Sequence, residues 1–261
     1  MLALLTLLWP SVASITHQWL SSSSFHHAPL AAPLALWLIL RERNNSVPPR
    51  PFAPALFAIA VIAGVWFAGR VVGASIVEHL ALVSLLIAGA AFFFGARNAR
   101  NWAFPLAFLF FLVPFGVSLQ PALQEAAAVA SNALLNLAGL DAVRHGLVIT
   151  TSAGAFEIAE ACSGLNFLLA SLMVSSFFAA VAFADWGRRA AFVGLAIAAA
   201  VIANIARVTV VIGAAELTGD AYSIGSDHIF FGWAFYAVML FALVSIGRWM
   251  AMPRSAALVS D

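Results

Sequence analysis

Eight mostly apolar stretches, at roughly 2–20, 26–41, 52–69, 74–96, 102–118, 158–184, 190–216 and 228–248, leave this chain little choice of solvent. About 17–25 apolar residues are needed to cross a bilayer, and a helix satisfies its own backbone hydrogen bonds there. Only 9% of the 261 residues are charged and 64% are hydrophobic, where an ordinary soluble domain is about a quarter charged. The spacing predicts an all-α polytopic membrane protein of about eight transmembrane helices. The first two spans are the least regular, because Pro10 interrupts one while Pro29 and Pro33 stand near the start of the other. Met1–Trp9 lacks a basic flank, so no cleaved signal peptide is expected.

The charges give the orientation. Arg41, Arg43, Arg50, Arg97, Arg100, Arg188, Arg189, Arg248 and Arg254 fall in alternate loops or the C-terminal tail. The intervening loops hold only Arg70 and Arg144, and Arg207 lies within a span. By the positive-inside rule both termini face the cytoplasm. The opposite face carries Glu78, Glu125, Asp141, Glu157, Glu160, Glu216, Asp220 and Asp227. One extracytoplasmic loop is long, residues 119–157. Its part from Pro121 to Leu140 reads as an amphipathic surface helix, and Gly146–Thr151 as a short extended stretch.

A single cysteine excludes an intrachain disulfide, and no cysteine–histidine cluster has zinc spacing. No metal, cofactor or nucleic-acid partner is expected. Ionisable residues in spans are functional candidates by default, and three stand out: Cys162, Arg207 and His228. Counted from the cytoplasmic ends of their spans, they lie about 33, 26 and 30 Å up the helix at 1.5 Å per residue. The hydrocarbon core is about 30 Å thick. All three therefore reach the outer boundary from three different helices.

That meeting suggests nucleophilic chemistry. A thiolate attacks carbonyls, and a nearby cation favours that form. Arg207 can hold the sulfur ionised or stabilise a developing oxyanion, and His228 can move the proton to a leaving amine. Asn204, three residues before Arg207, can orient the substrate or the guanidinium. Glu157 and Glu160 can bind Arg207, although carboxylates so close oppose a thiolate. Each residue also has an ordinary reading: a small buried hydrophobe for Cys162, a snorkelling anchor for Arg207, loop polarity for Asp227-His228, and a helix contact for Gly164. His17, His26, His27, His79 and His145 have no convincing partners in the sequence.

The stretch Glu160-Ala-Cys-Ser-Gly-Leu165, the pattern Asn204-Ile-Ala-Arg207, and Asp227-His228 followed by Phe231-Gly-Trp-Ala-Phe235 resemble the exosortase/archaeosortase family. Trp19–Arg43 and Leu134–Gly164 extend the resemblance over most of the chain. It implies one integral membrane domain over 1–261 acting as a cysteine peptidase or transpeptidase. Substrates would be exported proteins ending in a Pro-Glu-Pro-type motif, a transmembrane helix and a basic cluster, with an unidentified acceptor if the product is transferred. The family's cysteine, arginine and histidine fall on Cys162, Arg207 and His228, with Asn204, Glu157, Glu160, Ser163 and Asp227 as supporting candidates. The implied location is the bacterial inner membrane, with the site on the periplasmic side. Phe25-His26-His27-Ala28 departs from the family's usual Ser-His-Gly, and no appended extracytoplasmic domain is expected. The competing expectation is a multi-pass solute or lipid transporter without covalent chemistry.

Overall fold

The computed structural model describes residues 2–42, 46–219 and 228–252, with 2–5 and 228–231 at the level of the backbone. The chain divides into two compact units, Met1–Phe115 and Gly116–Asp261.

The first unit holds α1 (Leu2–Ser21), α2 (Ala31–Arg41), α3 (Ala55–Val71), α4 (Ser75–Phe94), α5 (Ala96–Asn101) and α6 (Ala103–Phe108). Helix α1 runs unbroken through Pro10. α3 and α4 form a tight hairpin through Gly73, whose φ of 71° suits a residue without a Cβ. Near that turn, Glu78 accepts from Ser11 and from Arg70 (3.2 Å), while Trp66 Nε1 donates to Ser11 Oγ at 3.0 Å. The buried His79 meets Ser14 Oγ at 3.3 Å. This corrects the expectation that His79 lacks a partner, because the neighbouring helix, invisible to a sequence window, supplies it.

Two expected spans shrink for reasons written in their prolines. The stretch 26–41 opens with a 3-10 turn, Ala28–Leu30, and α2 is only 11 residues long, about 16 Å at 1.5 Å per residue. The stretch 102–118 breaks after α6 into a 3-10 turn, Leu109–Leu112, and then an extended Val113. Pro114 disfavours a helical conformation at Val113, and Gly116 follows with a left-handed φ of 90°. Among the described residues four helices are long and apolar enough to cross a membrane: Ser75–Phe94, Leu165–Ala182, Trp186–Thr218 and Gly232–Ala251. The interrupted pair Ala103–Leu112 and Val117–Leu137 makes a fifth if counted as one span.

The second unit includes α7 (Gln120–Leu137), a helix where the stretch Pro121–Leu140 was expected to form one. Three short strands follow, β1 (Val143–His145), β2 (Val148–Thr151) and β3 (Gly154–Glu157). They form an antiparallel sheet in the order β1-β2-β3. The expected extended stretch is its middle strand, so the purely helical expectation is corrected by one small sheet. Two-residue turns suffice to join strands this short. Then come α8 (Leu165–Ala182), α9 (Trp186–Thr218) and α10 (His228–Ala251). The α8–α9 turn is fixed by Asp185, whose carboxylate caps α9 by accepting from Arg188 N at 2.9 Å.

Two apolar clusters set the site. In one, Phe167 of α8, Ala196 and Ala200 of α9, and Met239 and Leu243 of α10 are buried together. Small residues on α9 let the neighbouring helices come close. The other joins Ala127, Ala128 and Leu135 of α7 to Ile149 of β2, Ile158, and Val208 and Ile212 of α9, with Cys162 against its edge. The long loop is therefore an ordered cap on the far half of α9. Gln124 and Ser131 pin α7 to the backbone carbonyls of Ile158 (2.8 Å) and Ile205 (3.3 Å).

Candidate functional site

Cys162 ends a 3-10 turn, Glu160–Cys162, that breaks from the sheet just before α8. It was expected within a continuous span from 158; the structure corrects this, because α8 starts only at Leu165. Gly164 makes the turn with φ of 82°, a conformation that costs an L-residue roughly 1–2 kcal/mol. The missing Cβ matters a second time. One built on Gly164 would lie 2.5 Å from Asn204 Cγ, so only glycine lets the asparagine close on this turn. Ser163 is buried, and its Oγ accepts from Leu165 N at 3.3 Å. Its contact is with the turn and the first residue of α8.

Asn204 is the hinge pin between the cysteine turn and α9. Its Nδ2 donates to the Cys162 carbonyl at 3.0 Å, and its Oδ1 accepts from Arg207 Nη2 at 3.1 Å. Both side chains are buried, Asn204 at 2% exposed and Arg207 at 5%. Arg207 lies 21 residues beyond Trp186, about 32 Å along the helix. α8 needs 17 residues from Ala182 to Leu165, about 26 Å, and the turn covers the remainder. Because α8 and α9 share one short connection, Phe183–Asp185, the equal depth of Cys162 and Arg207 follows from hairpin geometry.

The guanidinium sits 5.4 Å over the Phe167 ring, a favourable cation–π placement. It also interacts electrostatically with the Cys162 thiol. Among the described residues its Nε has no hydrogen-bond acceptor. Neither Glu157 nor Glu160 pairs with it, the described ion pairs being Arg70–Glu78 and Arg144–Glu125. Both glutamates are exposed. A buried charge without an opposite partner is costly, and among the described residues no carboxylate offsets this one.

Cys162 and Arg207 line one small solvent-open pocket with Phe156, Glu157, Ile158, Val208, Val211 and Ile212. His228 begins α10, and its backbone lies one turn before Gly232. A Cβ built on Gly232 would be 3.4 Å from Arg207 Nη1, which places that turn of α10 against the guanidinium. Asp227 lies outside the described residues. Phe167, Gly232 and the apolar wall of the cavity were not anticipated. The sequence signals for Gly232 are its place in Phe231-Gly-Trp-Ala-Phe235 and its four-residue spacing from His228, and for Phe167 its position in the first turn after the cysteine motif.

Gly164→Ala should therefore act on chemistry through position. The added methyl must push Asn204 away and force the turn out of its left-handed shape. A misplacement of about 1 Å costs on the order of 100-fold in rate. We expect such a loss in any Cys162-dependent turnover while the protein still inserts and folds. Full activity in Gly164→Ala would show that the Asn204 contact does not position the sulfur.

The chain matches the family model described as transmembrane exosortase over residues 19–245. No curated protein and no solved structure gives a significant match.

Proposed function

The chain belongs to the transmembrane exosortase family, and on that premise we propose that it is a membrane-embedded cysteine peptidase or transpeptidase for C-terminal sorting tails. The substrate is an exported protein ending in a Pro-Glu-Pro-type motif, a transmembrane helix and a basic cluster. Residues 1–261 act as one integral unit in a bacterial inner membrane, with both termini cytoplasmic and the cavity on the periplasmic side. The basic loops support that sidedness.

The observation that carries the reading is a buried guanidinium beside the chain's only thiol, with no carboxylate partner among the described residues and one unused N–H. In the mechanism we assign, the Cys162 sulfur attacks the scissile carbonyl. The Arg207 guanidinium favours the sulfur anion beforehand and the oxyanion of the tetrahedral intermediate afterwards. Collapse breaks the C–N bond, and His228 delivers to the leaving amine the proton taken from the thiol. The departing fragment carries the substrate's helix and basic end. The thioester left on Cys162 then goes to water or to an amine acceptor. Asn204 and Ser163 keep the turn in place, Glu157 and Glu160 line its approach, and Asp227 precedes the histidine.

The transport alternative gains no support. Asn204 and Arg207 sit far along α9 beside the cysteine, where a transporter site would lie near the midplane.

The test is to find the intermediate. Purified chain in lipid nanodiscs, mixed with a tail-bearing reporter, should accumulate a hydroxylamine-sensitive adduct on Cys162 with the mass of the shortened reporter. Shortening of the reporter with Cys162 remaining unmodified, in rapid-quench samples, would remove covalent catalysis from the account.

A further inference from the structure

Among the described residues β3 has a strand neighbour on one side only. The hydrogen bond from Ile158 N to Leu147 O (2.9 Å) and the pairing of Phe156 with Ile149 and Gly154 with Thr151 fix which groups face β2. In an antiparallel ladder these directions alternate. The Ala155 N–H and C=O and the Glu157 N–H therefore face the open edge, and both residues are exposed.

Two sets of contacts tie the ends of this stretch to α9. At the hairpin tip, Ser152 Oγ and Ala153 N (2.9 Å) donate to Glu216 near the end of α9. At the other end, Asn204 holds the Cys162 carbonyl. The two anchors are twelve residues apart on α9, about 18 Å at helical rise, which equals about five residues of extended chain. Between them lies the cavity beside Cys162, its apolar wall formed by Phe156, Ile158, Val208, Val211 and Ile212.

Resting on the peptidase reading above, we propose that the five or so substrate residues before the scissile bond bind as an added strand on β3. An open strand edge offers unpaired N–H and C=O groups, for which a peptide backbone is the matching partner. Because the tip lies at the outer end of α9 and Cys162 at the lip, an exported chain enters at Ser152–Ala153 and runs parallel to β3. The direction follows from the substrate's own topology, with its folded part outside and its helix in the bilayer. Every second side chain then faces the apolar wall, so the site selects an uncharged residue there, and Arg207 receives the carbonyl at the end of the strand. β3 is short and carries Glu157, which limits pairing with a second copy of the chain.

The experiment is a backbone scan on the unsubstituted full-length protein in nanodiscs. Synthetic tail peptides carry one N-methyl group in turn at each non-proline position among the five before the cleavage site, a proline having no N–H to replace. Alternate positions should lose about tenfold in kcat/KM, a lost hydrogen bond with its steric block, and those between should change less than about threefold. Ala155→Pro removes the outward donor without touching the β2 ladder, so it should raise KM about tenfold with kcat held, and flatten the alternation. If that variant does not fold, the scan decides alone. A scan without alternation, on a parent peptide that is cleaved, overturns the strand docking and leaves the cysteine chemistry standing. A parent peptide that is not cleaved in a Cys162-dependent way overturns the peptidase reading, and the docking with it.

Discussion

Cys162→Ala and Cys162→Ser should each reduce processing of a tail-bearing reporter by at least roughly 1,000-fold, since a nucleophile's loss removes the covalent route and leaves only binding and oxyanion stabilisation. The serine variant is the sharper test. It keeps the shape of the side chain, and the backbone bonds of the turn, Cys162 N to Ala159 O and Asn204 Nδ2 to the Cys162 carbonyl, do not involve the Cys162 side chain. Fold and insertion should therefore survive in both variants. A neutral hydroxyl beside Arg207 gains little from the guanidinium, because serine's alkoxide lies too high in energy to form there without a strong base. The measurement is the initial rate of reporter shortening per mole of inserted protein. Processing within tenfold of the parent in either variant would sink the assignment of Cys162 as nucleophile.

Arg207→Ala should cost on the order of 100- to 1,000-fold in kcat, the usual effect of deleting one oxyanion donor. Three further contacts disappear with it: the bond to Asn204 Oδ1, the placement over Phe167, and the interaction with the cysteine. Arg207→Lys separates charge from geometry. A lysine restores the cation but offers a point charge where the guanidinium presents a fork of donors. It cannot bond Asn204 and also leave a second donor free at the same distance from the sulfur. We expect Arg207→Lys to recover no more than about a tenth of parental kcat, with KM little changed. Alkylation of Cys162 by a neutral maleimide at pH 7 should slow in Arg207→Ala and recover in part in Arg207→Lys. Unchanged alkylation with lost kcat would confine Arg207 to the oxyanion; unchanged kcat would dismiss it from catalysis.

What was legible in the sequence can be traced residue by residue. Cys162 and Arg207 were found because a thiol and a charge are conspicuous among alanine, leucine and phenylalanine, and because rise per residue turns position into depth. The same reasoning misplaced the start of the helix after Cys162. Gly164 in a left-handed conformation ends regular geometry, and a constant rise per residue does not hold across such a turn. Prolines at 29, 33, 105 and 114 were visible, yet their consequence depends on what neighbours do with the freed backbone groups. α1 passes through Pro10, while the stretch after α6 breaks near Pro114. Glu157 and Glu160 were plausible partners for Arg207 because they stand just before Cys162 in the sequence. The chain instead turns them outward, and Asn204 takes the contact.

By itself the sequence determined the solvent of this protein and the family it belongs to, because hydrophobic length, charge distribution and short motifs are local properties. Tertiary structure alone decided that the long loop folds back as α7 and a sheet over α9, that Gly164 admits Asn204, that α10 approaches Arg207 at Gly232, and that β3 has, among the described residues, a strand partner on one side only. Those are contacts between segments far apart in the chain. Their energies depend on packing and on which backbone groups remain unpaired, and no local pattern of residues encodes either.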